Sequence, residues 1–325
     1  MVVWAICLEN QIIFYRQTNL GHGLWGIRWN FNIKGTNSII SQIYTEDGLK
    51  YAGGEKTPMI FEPMVHYRDS RDMVEVGGSS VHLIVTSPPY FNTKDYSDDR
   101  SGADLGNIDD LDVWLLEIGK VWRECHRVLQ PGRKMFVNIM NLPITVDKTF
   151  RSYNLVGKTI DLCEESGFIF KRDIIWHKTN SVRAPFGSYP YPVGILINNM
   201  HESILEFEKP GEGKCKYDHL TEEDKERSKL PKDFWLKLKN SDVWVMKPYK
   251  SGAREHLAPF PDELPYRLIR GYSYVSETVL DPFLGMGTTL KVAKRLGRKG
   301  VGYEINKSYK QLIDKVLNQR LLVEF

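Results

Sequence analysis

Val81-His82-Leu83-Ile84-Val85-Thr86-Ser87-Pro88-Pro89-Tyr90 decides the fold. VHLIVT is an apolar run of strand length with no solvent-facing alternation, as in a strand covered on both faces. Pro88-Pro89 stops it, because each proline fixes φ and removes a backbone donor. The loop thus created leaves the carboxyl end of a strand, where open α/β sheets bind their ligands. Downstream, DLDVWLLEIGKVWRECHRVL repeats apolar residues at three and four and reads as a helix. Pro131-Gly132 is expected to break it, and KMFVNIM supplies the next strand. Strand, helix and strand make a βαβ unit and imply a parallel sheet.

Farther along, NLVGKTIDLCEESG predicts a helix ending at Gly167, FIFKRDIIWHK one or two strands, and ESILEFEK from Glu202 another strand. PFPDELPYRLIRGYS predicts a helix introduced by prolines. SETVLDPFLGMGTTLKVAKRLGRKGVGYEI then predicts strand, glycine turn, helix and strand. Lys209 to Asn240 carries nine basic and seven acidic residues and has the composition of an insertion. Residues 1–62 are rich in Trp, Tyr, Asn and Gly in short β-like runs such as QIIFYRQ, without helical periodicity.

At 325 residues, with 42% hydrophobic and 12% aromatic content, the chain can bury one substantial core with a smaller appended region. Forty-four basic residues against 41 acidic are too nearly balanced to identify a polyanionic partner. Cys7, Cys125, Cys163 and Cys215 are scattered, so neither a disulfide framework nor a zinc site is expected, and no metal. The opening segment is apolar only in bursts interrupted by Glu9, Asn10 and Arg16; neither a signal peptide nor a membrane span is read there. A reducing cytoplasm is expected.

Two motifs carry chemistry. An exocyclic amine on cytosine or adenine is a poor nucleophile, because its lone pair is delocalised into the ring. If Ser87 Oγ and the Pro88 carbonyl accept its two N–H groups, the nitrogen moves towards tetrahedral geometry. Pro89 stiffens the turn, and Tyr90 could stack on an extruded base. Asp281-Pro282-Phe283-Leu284-Gly285-Met286-Gly287-Thr288-Thr289 follows the apolar run TVL and opens a helix, so Gly285 and Gly287 allow close approach of a ligand to free N–H groups. A dinucleotide fingerprint would need glycine where Leu290 stands, which disfavours a nicotinamide cofactor. Glu304, ending the next strand, is placed to accept hydrogen bonds from a ribose diol.

TSPPY, DPFLGMGTT and their order resemble the β group of DNA amino-methyltransferases of restriction-modification systems, in which the catalytic motif comes first. The resemblance covers roughly residues 65 to 325 and extends through RVLQPG, DIIWHKTN and HESILEFEK. It implies a Rossmann-like α/β methyltransferase fold, mainly parallel and circularly permuted, with S-adenosylmethionine as cofactor. Ser87, Pro88, Pro89 and Tyr90 become the catalytic residues. Asp69, Asp281, Phe283, Gly285, Gly287, Thr288 and Glu304 become cofactor contacts, joined by His256 and Pro259 in HLAPFPDELPYRLI at the methionine end.

The implied organisation is an N-terminal extension (1–62), a catalytic half (63–208), a target-recognition insertion (209–247) and a cofactor half (248–325). Lys178, Arg183, Tyr189 and Tyr191 could equally contact DNA. Ser87, where many adenine enzymes have Asp or Asn, favours cytosine N4 over adenine N6. Double-stranded DNA is the expected partner, with a separately acting restriction endonuclease and a monomeric or homodimeric state. Alternatives are adenine methylation, methylation of RNA or a protein glutamine, and a DNA-binding protein without catalysis.

Overall fold

The computed structural model describes residues 3–8, 11–16, 60–91, 104–146, 149–179, 189–195, 197–211, 217–248 and 260–318. The chain divides into two compact units, Met1–Pro58 and Met59–Phe325. In the first, β1 (Val3–Leu8) and β2 (Gln11–Arg16) pair antiparallel, the second strand matching the QIIFYR run.

The second unit runs β3 (Met64–His66), β4 (Val81–Thr86), α1 (Leu111–Val128), β5 (Leu129–Ile139), β6 (Leu142–Val146), β7 (Thr149–Tyr153), α2 (Leu155–Glu165), β8 (Ile169–Lys178), β9 (His201–Glu208), α3 (Glu222–Arg227), α4 (Lys232–Lys239), β10 (Val243–Met246), α5 (Glu263–Tyr272), β11 (Thr278–Asp281), α6 (Thr288–Arg295), β12 (Lys299–Tyr303) and α7 (Lys310–Leu317). Eight strands form one sheet in the order β10-β8-β9-β5-β4-β11-β12-β3, parallel throughout except at β9. Strands β4 and β11 are central neighbours, although the chain between them spans most of the domain.

Both faces of β4 are covered, as its uninterrupted apolar run requires. Ile84 packs in a cluster with Trp114, Trp122 and Cys125 of α1 and Leu155 and Cys163 of α2. Leu83 and Val85 alternate to the other face and pack with Leu264 and Leu268 of α5 and Val292 and Ala293 of α6. Helix α1 starts where Asp110 accepts hydrogen bonds from Asp112 N and Val113 N, at 2.9 and 3.0 Å. Its Trp114 and Trp122 are fully buried, and truncating either to alanine would cost about 3–5 kcal/mol.

The helix ends at Val128, three positions before Pro131. Pro131-Gly132 lies inside β5, where Gly132 takes φ 72° and the register with β4 shifts between Val81 and Leu83. The dipeptide therefore forms a bulge rather than the expected helix breaker. FIFKRDIIWHK is a single strand, with an irregularity between Phe170 and Arg172.

Strand β9 pairs antiparallel with both β5 and β8, and this sets where the next segment goes. The chain leaves Glu208 at the amino edge of the parallel strands. There Gly132 N donates to the Lys209 carbonyl, Val275 N donates to Ser228 Oγ, and Ser276 Oγ lies 3.1 Å from Asp224 Oδ1. From there the segment climbs along the sheet: Lys237 pairs with Glu263 at the start of α5, the Asp242 carbonyl accepts from Ile175 N, and β10 extends the sheet beside β8. Among the described residues no helix is long and apolar enough to cross a membrane.

Candidate active site

Parallel pairing of β4 with β11 brings the TSPPY loop and the glycine loop out side by side at the carboxyl edge. Between them lies a cavity lined by Ser87, Pro88, Pro89 and Tyr90 from the first and Asp281, Phe283, Gly285 and Thr288 from the second. Asp69 and Glu304 complete the set of expected contacts there. Gly287 supports the loop from beneath: it takes φ 88° at the start of α6, and a Cβ would meet Ile313 and Leu317 at 3.6 and 3.8 Å. His256 and Pro259 lie outside the described residues. Sequence reading missed Arg68, Asp104, Leu105 and Phe260, which also line the cavity. These come from separate segments without a motif spacing.

Asp281 is buried, with both carboxylate oxygens committed. Oδ1 accepts from Thr86 Oγ1 at 2.7 Å and from Phe283 N at 3.0 Å, while Oδ2 accepts from Thr289 Oγ1 at 2.7 Å. One side chain therefore ties the end of β4 to both ends of the glycine loop. Burial pushes its pKa up to about 6, against the opposing pull of those hydrogen bonds.

Glu304 accepts from Gly285 N at 2.9 Å through Oε2 and from Asn306 N at 2.8 Å through Oε1. Gly285 takes φ 54°. Burial raises the Glu304 pKa to about 7 despite these two bonds, with Asp104 and Asp281 adding repulsion. Its charge is under-compensated, so a ligand hydroxyl would find a receptive acceptor. Four acids line the cavity, whereas the guanidinium of Arg68 is engaged by Glu75 at 2.6 Å and Asp72 at 3.5 Å. The field therefore suits a ligand carrying positive charge and a diol, as a sulfonium nucleoside does.

In the TSPPY loop, the half-buried Ser87 has a hydroxyl with no hydrogen-bond partner among the described residues. Tyr90 is held firmly. Its hydroxyl donates to Glu202 Oε2 at 3.1 Å, the same oxygen accepts from Asn138 Nδ2 at 2.5 Å, and Lys178 pairs with Oε1. Lys178 also lies over the Trp176 ring, 5.4 Å from its centroid, so it braces the loop rather than facing solvent as a DNA contact. Neutralising Glu202 would strand Lys178. Glu202→Gln is expected to lower stability by about 3 kcal/mol, and adding Lys178→Met to recover part of the loss. Urea unfolding of both singles and the double checks this; strictly additive losses would refute the coupling.

A second cluster escaped the sequence reading. His82, His219 and Glu277 bring possible ligand atoms within 4.8 Å of one another at the amino edge. Arg133 already pairs with Glu277, and His82 Nδ1 accepts from Thr278 N at 3.2 Å. Burial, with Arg133 and His219, depresses the His82 pKa to about 3. That cationic surrounding opposes a metal ion, and the group holds β4 and β11 to the segment after β9.

A doubly wound, mainly parallel sheet with a glycine loop and an acid at the carboxyl ends of the adjacent strands β11 and β12 defines a Rossmann-like methyltransferase fold. The model of the N6/N4 DNA methylase family matches residues 81–315, and the chain belongs to that family. It is 34% identical over 278 residues to the type II methyltransferase M.MthZI of Methanothermobacter thermautotrophicus, covering 79% of this chain and 77% of that one. M.MjaI of Methanocaldococcus jannaschii is 33% identical over 273 residues, covering 77% and 89%. A Thermus thermophilus protein named as a DNA modification methylase, solved with S-adenosyl-L-methionine, superposes with a TM-score of 0.63 at 32% identity, covering 78% of this chain and 93% of that one.

Proposed function

We propose that this protein methylates the exocyclic N4 of cytosine in a base flipped out of double-stranded DNA, as the modification enzyme of a type II restriction-modification system. The observation that carries the reading is the free Ser87 hydroxyl opening into the same cavity as the Glu304-tethered glycine loop.

S-adenosylmethionine is the cofactor, supplying a methyl group on a positively charged sulfur that leaves as a neutral thioether. Glu304 would accept from its ribose hydroxyls, and the loop Phe283–Gly285 and Asp69 would hold its nucleoside part. Ser87 Oγ and the Pro88 carbonyl accept the two amine protons of the target. That concentrates the lone pair on nitrogen as the C–N bond forms and the C–S bond breaks. The methylated nitrogen is then acidic enough to lose a proton to water. Tyr90, fixed by Glu202, presents its ring to the base.

Ser87 at the first position of the motif supports cytosine over adenine through the resemblance of TSPPY, since Ser, Asn and Asp can all accept an amine proton. Expression in a host lacking DNA methylation, with mass spectrometry of nucleosides and sequencing of modified bases, is expected to yield N4-methylcytosine at one short site. N6-methyladenine alone would overturn the choice of base, and neither product would overturn the activity.

A further inference from the structure

The hairpin β6–β7 adds nothing to the main sheet and lines no part of the cavity, yet it is built beside the catalytic loop. Strand β5 pairs directly with β4, so the chain that leaves Ile139 for the hairpin rises from the same edge as Ser87–Tyr90, one strand away. Its base is fastened down. Leu142 is buried, Ile144 and Tyr153 pack against the core, and Tyr153 meets Phe91 edge-on at 5.8 Å between ring centroids. Phe91 immediately follows the catalytic Tyr90.

Register separates the two faces. Leu142 opposes Tyr153 and Ile144 opposes Arg151, so Arg151 shares the packed face and stands one step farther out along it. The other face carries Phe150 and Ser152, and Phe150 is 66% exposed. Arg151 is exposed and has neither an ion pair nor a hydrogen bond among the described residues. An exposed guanidinium without a partner among the described residues, with an exposed aromatic ring on the opposite face of a ribbon anchored at its base, has the chemistry of a nucleic-acid contact. Five residues per strand make a ribbon about 17 Å long. The ribbon leaves the sheet at the edge where a duplex would deliver a base to the cavity between β4 and β11.

We propose that the β6–β7 hairpin is a DNA-contacting arm, with Arg151 on a backbone phosphate flanking the target base. The proposal rests on the reading that the substrate is duplex DNA. It assigns DNA contact to the edge from which Ser87–Tyr90 leaves the sheet.

The test is fluorescence anisotropy of a labelled mixed-sequence duplex with the full, cofactor-saturated chain across a salt series. Arg151→Ala is expected to weaken binding at low salt and to reduce the slope of log K against log salt by about 0.9, the release of one counterion. Arg151→Lys should keep the slope. Phe150→Ala should weaken binding without changing the slope. Thermal stability and cofactor affinity should stay at wild-type values in all three, since neither side chain is packed. Wild-type slope and affinity in Arg151→Ala would overturn the proposal. So would loss of a dimer in Phe150→Ala by sedimentation, which would make the patch a self-association surface. Failure of the wild-type protein to bind any duplex would overturn the DNA reading itself, and this inference with it.

Discussion

Ser87→Ala is expected to slow methyl transfer by about a hundredfold or more while leaving folding and cofactor affinity near wild type. The hydroxyl has no partner among the described residues, so its removal strands no donor or acceptor. The turn itself is set by Pro88 and Pro89, and the end of β4 is anchored one residue earlier by Thr86 on Asp281. The cofactor loop is held by Asp281 and Glu304, neither of which touches Ser87. What the variant loses is a preorganised acceptor that acts as charge develops on the amine, comparable to deleting one oxyanion-hole donor. Labelled methyl transfer to DNA under single-turnover conditions isolates that step. A variant as fast as wild type would remove Ser87 from the mechanism. Ser87→Asn, which restores an acceptor, should recover part of the rate.

Much of this site was legible because its chemistry is concentrated in two short runs. VHLIVTSPPY and DPFLGMGTT each join a buried strand to a loop, and burial on both faces leaves an apolar run that a sequence displays openly. What sequence could not show was direction. HESILEFEK reads as a strand, but nothing in its apolar pattern says that it runs antiparallel, and that single reversal makes the chain leave Glu208 at the amino edge of the sheet. Contacts between distant positions were equally hidden: Tyr90 with Glu202, Thr86 with Asp281, and His82 with His219 and Glu277. Glu202 sat in plain view in a strand segment, yet only the fold turns it from a strand residue into the group that fixes Tyr90. Pro131-Gly132 misled for a related reason, since a positive φ serves a β-bulge as well as a helix stop.

Glu304→Ala is expected to weaken S-adenosylmethionine binding by about 1.5–3 kcal/mol, roughly ten- to a hundredfold. Two effects combine: loss of the acceptor for the ribose hydroxyls, and release of the Gly285 and Asn306 N–H groups that the carboxylate now holds. Glu304→Gln keeps one carbonyl acceptor and should lose less. The pH dependence separates this role from a purely structural one. With a pKa near 7 in the free protein, the carboxylate is mostly charged at pH 8 and mostly protonated at pH 6. Ribose hydroxyls donate to the charged form, so cofactor affinity should fall about tenfold between pH 8 and pH 6. Stability of the free protein should move the other way. A carboxyl whose folded pKa is raised contributes its full stability below its unfolded value of 4.5 and loses it as pH rises through about 7, so acidification to pH 6 favours the folded state at this group. Calorimetric titration with cofactor and thermal melts without it, across that range, should show opposite trends in the wild type. In Glu304→Gln the affinity profile should flatten to whatever Asp281 contributes as it titrates near 6. A wild-type affinity that is constant from pH 6 to pH 8 would show that the cofactor does not use the charged carboxylate.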